Sequence, residues 1–433
     1  MRINEFKDQQ PAMSHQLFVK ELKCARCGRQ YSLDSGTLRC QNRDDGRLDI
    51  FYDYDALRNA FTKNDLSKRA KGVWKYKELL PIDDPKNTVS LGEGATPFTQ
   101  SRRLAEKLGL KKLWLLDDTR NPTSSFKDRA ITVGVSKAVE LGYDTVASAS
   151  SGNAAAALAA YSAKAGLRCI AFVPEVASAG KLAQLVVYGA EVVKVRGLEL
   201  GVDPTVKMLK EVCDHYGWYP CPSFGPMNPY QVEGTKTMSY EIAEGLDWMP
   251  PDWVIVPVGA GTLLTGNWKG YLDFQQLGFI GRLPKMIAVQ SMGCPPLVRA
   301  FEENADPARI RPWDKPDSVA TGLMDPFPWD GDAALKAIRD SRGRAVAVSN
   351  TEILDAQKLL AKNEGIFAEP SGVTSLAGLV KLTKHEKAID RSDTVVVEIT
   401  GSGLKDPNVA LSGMLEVPLI DASIESLRRV LKV

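Results

Sequence analysis

Eight short apolar runs, each separated from the next by a helix-length stretch, constrain this chain more than any other feature. They are KLWLL (112–116), TVASAS (145–150), CIAFV (169–173), EVVKV (191–195), WVIVPV (253–258), MIAVQ (286–290), AVAVS (345–349) and TVVVEIT (394–400). They are rich in β-branched residues and too short for helices. Strands joined through helices cannot be hairpins; they form parallel sheet with helices packed on both faces. The expected fold class is therefore α/β, with three-layer parallel-sheet architecture. Ligands in such folds sit at the carboxyl ends of the strands.

Composition excludes several function classes. Among 433 residues there are 55 Lys and Arg against 53 Asp and Glu, a net charge of +2, and 44% hydrophobic residues. A nearly balanced charge leaves no electrostatic footprint for nucleic acid or an anionic membrane. The opening MRINEFKDQQPAMSHQ has no apolar core of a leader, and no uncharged apolar run approaches the roughly 18 residues that span a bilayer. The expectation is a cytoplasmic protein with a small-molecule substrate. The three histidines, His15, His215 and His385, stand apart from every motif and are expected to serve the surface or the packing.

Seven cysteines at scattered positions argue against a disulfide framework. Three of them, in KCARCGRQYSLDSGTLRC, suggest a small ribbon, with Cys24, Cys27 and Cys40 the ligands a zinc would use. A structural zinc takes four ligands, usually two close pairs. No fourth cysteine or histidine follows Cys40, where the chain reads Gln41, Asn42, Arg43, Asp44, Asp45. The expected state is a β-ribbon that has lost its metal.

The chemistry is signalled by NPTSSFKDRA (121–130), which places Lys127 in what reads as the first turn of a helix. The helix dipole carries about half a positive charge there and disfavours an ammonium group. A lysine so placed is predisposed to the neutral, nucleophilic amine. Three strand-to-loop junctions accompany it. TVASASSGNAAAALAAYSAKAG runs from a strand through Ser150, Ser151, Gly152 and Asn153 into an alanine-rich helix. Those residues either present free amides to an anion such as a substrate carboxylate or simply cap the helix. In WVIVPVGAGTLLTG, a loop holding Gly259, Gly261, Thr262 and Gly266 either forms an amide nest for a phosphate or makes a tight turn, without the Lys-Ser/Thr ending of a nucleotide-binding loop. TVVVEITGSGLKDP leaves the hydroxyl of Thr400 at a strand end. An amine, an anion-binding helix start, a phosphate nest and a lone hydroxyl are the four fittings needed by a phosphorylated pyridine aldehyde.

In this order and spacing, NPTSSFKDRA, SSGNAAAALAAY, the glycine loop and TGSGLKDP resemble the threonine synthase family of pyridoxal-phosphate enzymes, within the tryptophan-synthase-β-like fold (fold type II). LGEGATP, KLAQLVVYGAEVV, EGTKT and LLAKNEGIFAEPSG extend the likeness over about residues 90–415. The resemblance implies that Lys127 holds the cofactor aldehyde covalently and takes the substrate's Cα proton. It further implies that Asn153 meets the cofactor's 3-hydroxyl, that Gly259, Ala260, Gly261 and Thr262 bind its phosphate, and that Thr400 faces the pyridine nitrogen. Substrate contacts would come from Ser150, Ser151, Gly152, Ala154 and Gln231. The implied layout is a ribbon appendage (1–50), a helical linker (51–90), a large cofactor-binding domain (91–143 and 222–433) and a small mobile domain (144–221), assembled as a homodimer.

The chain departs from the family pattern where substrate is expected. The family's NSxNPxRxEGQKT is here GPMNPYQVEGTKT, so Gly225 and Pro226 replace an Asn-Ser pair and Gln231 replaces an arginine; STGNT and TGHGLKD have likewise become SSGNA and TGSGLKD. Neutral Gln cannot reproduce a bidentate Arg–phosphate contact. The expectation is a lyase that eliminates or replaces a β or γ substituent other than phosphate on a small L-amino acid. The alternatives are a true threonine synthase, with Lys236, Lys405 or Arg129 rebuilding the anion site, and an inactive cofactor-binding or regulatory homologue.

Overall fold

The structure, a computed structural model, describes residues 18–431 except 34–35, 43, 45, 178, 198–202, 385, 387 and 408–416. His15 and His385 lie outside the described residues, and His215 sits in the last turn of the helix Pro204–Tyr216. No helix among the described residues is long and apolar enough to cross a membrane.

The α/β expectation is met by two sheets. The larger has the spatial order Arg344–Val348, Lys285–Ser291, Trp253–Pro257, Thr394–Ile399, Lys112–Asp117, Phe98–Gln100, parallel throughout except for its last, antiparallel strand. The smaller has the order Glu191–Val195, Arg168–Pro174, Thr145–Ala149, Tyr219–Pro220, all parallel. All eight predicted strands are present within a residue or so at each end. The short strands Phe98–Gln100 and Tyr219–Pro220 were not foreseen, because two or three residues carry no periodicity. Trp253–Pro257 is buried at every position, as a strand covered by helices on both faces must be.

The alanine run earns its place by size. Every residue from Ala154 to Ser162 of the helix Asn153–Ala165 is buried. Side chains of one carbon let that helix sit deep between the small sheet and its neighbours.

A third, three-stranded antiparallel sheet precedes both, ordered Gln30–Tyr31, Val19–Cys24, Leu48–Tyr52. It is not a detached appendage. Leu22, Leu48, Ile50 and Tyr52 belong to the same apolar core as Leu57, Met238, Tyr271 and Phe274 of the main body.

Candidate active site

The carboxyl ends of the strands from both sheets open on one cavity of about 510 Å³, within the range of small-molecule sites. Lys127, Ser150, Ser151, Gly152, Asn153, Ala154, Gly259, Ala260, Gly261, Thr262 and Thr400 all line it. Three helices, Lys127–Glu140, Asn153–Ala165 and Thr262–Gln276, begin at its wall, and none has a side-chain cap hydrogen bond at its N-terminus. The capping alternative for Ser150–Asn153 therefore fails: Gly152 is the N-cap, and Ser150 Oγ accepts only from the Gly152 amide, at 3.2 Å.

Lys127 is the first residue of its helix. The preceding loop is tied to the end of the strand Thr394–Ile399: the Phe126 amide donates to the Thr400 carbonyl (2.9 Å) and the Ser402 amide to the Ser124 carbonyl (3.0 Å). Lys127 and Thr400 are thus fixed relative to each other through backbone. Asp128, accepting from the Thr123 amide and hydroxyl at 3.1 and 2.9 Å, closes the turn. The Lys127 ammonium donates to Ser223 Oγ at 2.7 Å. Burial lowers its pKa from 10.5 to about 8, against the opposing pull of Asp325 and Asp330. The predisposition toward a neutral amine is present, with burial as its largest cause. Asp325, also on the wall, is pushed up to about 6 by burial, with Lys127 holding it back.

The loop at 259–262 has the conformation an anion nest needs. Gly261 has φ +97°, a region closed to most side chains, and a Cβ on Gly259 would stand 2.6 Å from Asp325 Oδ2. Behind the loop, Asp330 accepts from the Thr262 hydroxyl and from the Gly225 amide (3.0 Å), while its own amide donates to the Ala260 carbonyl (2.8 Å).

Gln231 requires a correction. It does not line the cavity; its side chain is fully buried behind Ser223, whose amide it accepts at 2.9 Å, and it packs against Gly134. Ser223 has φ +68°, unfavourable for serine, and Gln231 holds it there to meet Lys127. Gln231 acts through Ser223. Gln231 lies so close against Gly134 that a Cβ there would fall 2.8 Å from Gln231 Cγ. The three reserve cations are engaged elsewhere too. Lys236 pairs with Glu233 and Asp273, fully buried Arg129 with Asp118 and Glu241, and Lys405 donates to the Thr123 carbonyl. None of the three reaches the wall.

The sequence reading missed Asp203, Ser223, Asp325, Trp329 and Glu369, all of which line the cavity. Glu369 accepts from Asn153 Nδ2 at 2.6 Å, and Trp329 stacks on Phe224 with centroids 4.9 Å apart. Only Glu369 lay in a quoted motif, AEPSG; the others sit in segments with no local signature.

A profile of the family described as "Pyridoxal-phosphate dependent enzyme" matches residues 89–401. The threonine synthase of Methanocaldococcus jannaschii is 42% identical over 411 residues, covering 95% of this chain and 99% of the relative. The threonine synthase of Methanosarcina acetivorans is also 42% identical, over 95% of this chain and 98% of its own length. The chain belongs to the threonine synthase family of pyridoxal-phosphate-dependent enzymes. Among solved structures, maize serine racemase superposes with a TM-score of 0.62 at 21% identity, covering 73% of this chain and 91% of that one. The processed threonine deaminase isoform 2 of Solanum lycopersicum gives 0.62 at 21%, covering 73% and 81%. At that identity the likeness establishes the fold alone, that of fold type II. As a pyridoxal-phosphate-dependent lyase, the chain has fittings that suit its cofactor: one amine of lowered pKa, a glycine-shaped nest at an uncapped helix start, and a hydroxyl at a strand end.

Proposed function

We propose that this lyase eliminates or replaces a β or γ substituent of a small L-amino acid, and that the substituent is not a phosphate. One observation carries the reading: among the described residues lining the cavity, Lys127 is the only cationic side chain, while Asp203, Asp325 and Glu369 are acids. A leaving phosphate would enter a site that already holds the cofactor's phosphate and would meet no second cation. A charge-assisted partner contributes about 1.5–3 kcal/mol, so its absence weakens binding roughly ten- to hundredfold.

Each residue then has a task. The amides at Ser150–Ala154 hold the substrate carboxylate, Gly259–Thr262 hold the cofactor phosphate, and Asn153, oriented by Glu369, faces the 3-hydroxyl. Lys127, steadied by Ser223, carries the cofactor and moves the Cα proton. The bound cofactor supplies an electron sink for the Cα carbanion. Thr400 would offer the cofactor's ring nitrogen a neutral hydroxyl in place of a carboxylate, which would keep that sink modest and favour loss of a neighbouring substituent over transamination. We also propose a large domain (91–143 and 222–433) and a small one (144–221), since the four-stranded sheet draws only on residues 145–220, together with a homodimeric assembly.

A second reading, threonine synthesis from O-phospho-L-homoserine, is favoured by the 42% identity to threonine synthases. Phosphate release from O-phosphohomoserine, measured beside keto-acid formation from serine, threonine and hydroxyaspartate, separates the two. Rapid phosphate release with threonine formation would replace the first reading by the second.

A further inference from the structure

The ribbon that the sequence left one ligand short is not short in three dimensions. The thiols of Cys24, Cys27 and Cys40 and the carboxylate of Asp44 place their ligand atoms within 4.8 Å of one another. Cys24 Sγ lies 3.4 Å from Asp44 Oδ2, and Cys27 Sγ lies 3.5 Å from Cys40 Sγ. A tetrahedron built on zinc–sulfur bonds of about 2.3 Å and a zinc–oxygen bond of about 2.0 Å has edges of roughly 3.5–3.8 Å. The backbone is shaped for this closeness. The Gly28 amide donates to the Cys24 carbonyl (3.0 Å) at φ +74°, folding the Cys24–Cys27 turn, and a Cβ on Gly46 would lie 2.5 Å from Cys24 Sγ.

Three residues beyond Asp44, Arg47 leaves the ribbon and enters the main body, where it is 5% exposed. Its guanidinium bonds Asp49 and Asp332 at 2.7 Å each and stands 3.6 Å from Asp330. Asp330 is the carboxylate that braces the Gly259–Thr262 loop. A bare anion there would oppose a phosphate on the other side of the loop; Arg47 supplies the compensating charge. The same packing accounts for Gly225, where the family has asparagine: a Cβ at 225 would fall 2.4 Å from both Arg47 Cδ and Asp330 Oδ1.

We propose that Cys24, Cys27, Cys40 and Asp44 bind one divalent ion of the zinc class, and that this ion holds the turn from which Arg47 neutralises Asp330 beneath the phosphate loop. Three thiolates select a borderline-soft ion over magnesium or calcium. The metal site stands on its own geometry. Its link to cofactor affinity rests on the active-site reading above.

The test uses the full-length holoenzyme. Elemental analysis after purification without chelator should find one zinc per chain, and Asp44→Ala and Cys27→Ser should each weaken zinc binding at least about tenfold. Protein that takes up no ion even when offered zinc, or an Asp44→Ala variant with unchanged affinity, overturns the site. The link is read by titrating pyridoxal phosphate spectroscopically, without substrate. Zinc-stripped protein that keeps its circular dichroism should bind the cofactor about tenfold more weakly and recover on zinc addition. Arg47→Met should show a similar loss while retaining its zinc, which covers the case in which stripping unfolds the ribbon. Unchanged cofactor affinity in both removes the link and leaves the metal site standing. Wild-type, zinc-loaded protein that fails to bind the cofactor overturns the active-site reading instead.

Discussion

Lys127 and Lys236 are both held away from bulk water, and their pKa values move in opposite directions. Lys236 is fully buried between the helices Tyr230–Thr235 and Thr262–Gln276. Glu233 and Asp273 lie 2.7 and 2.8 Å from its ammonium, and the Tyr52 ring lies 4.2 Å away. Burial pushes its pKa down, but the two carboxylates more than offset this and the net direction is upward. Lys127 has a serine hydroxyl for its contact and, among the described residues, no carboxylate at ion-pair distance, so burial wins and the pKa falls to about 8. What separates the two pKa shifts is the presence of a touching counter-charge, since desolvation acts on both.

The largest expected effect separates them by chemistry. Lys127→Ala should lower turnover by about a thousandfold or more while leaving the melting temperature near that of the cofactor-free wild type. Borohydride reduction of the holoenzyme should fix the cofactor to the peptide containing Phe126 and Asp128. A variant that turned over substrate at the wild-type rate would end the assignment. Lys236→Met should do the reverse. It strands two buried carboxylates, at a cost of about 3–5 kcal/mol, and denaturant unfolding should show that loss while activity per folded molecule is kept.

The comparison sharpens with pH. The folded-state pKa of Lys127 lies below its unfolded value of 10.5. Between about pH 8 and 10.5 the unfolded chain therefore binds the extra proton, and cofactor-free protein gains stability as pH rises across that window. Lys236, whose folded pKa is raised, contributes stability in full below 10.5 and loses it as pH climbs beyond. The smallest signal is kinetic. Reaction of cofactor-free protein with pyridoxal phosphate should rise with a midpoint near pH 8, because about a tenth of Lys127 is neutral at pH 7 where an ordinary lysine is neutral in less than about one part in a thousand. A midpoint near 10.5 would show that Lys127 is not desolvated.

Lys127, which lines the cavity, was singled out in the sequence, and Lys236 was misread. Lys127 announces itself by a local conflict, a cation in the first turn of a helix. Lys236 was held in reserve as an anion ligand, because nothing nearby in sequence reveals Asp273, which comes 37 positions later. Gln231 was misplaced for the same reason: its position matched a motif, but its direction was set by Gly134 and Ser223.

The sequence by itself determined the eight main strands, the α/β class and the cofactor, and it singled out Ser150–Ala154, Gly259–Thr262, Lys127 and Thr400, which the fold brings to one cavity. The strands and the individual stretches rest on information local to ten or fifteen residues, namely side-chain periodicity, glycines that free the backbone and a lysine at a helix start, and the cofactor on the order of those stretches along the chain. Tertiary structure alone decided the acidic wall of Asp203, Asp325 and Glu369, the retreat of Gln231, the approach of Asp44 to the three ribbon thiols and the reach of Arg47 to Asp332, 285 residues away. Those depend on which segments the core brings together, and charges set side by side by folding at such separations leave no pattern along the chain.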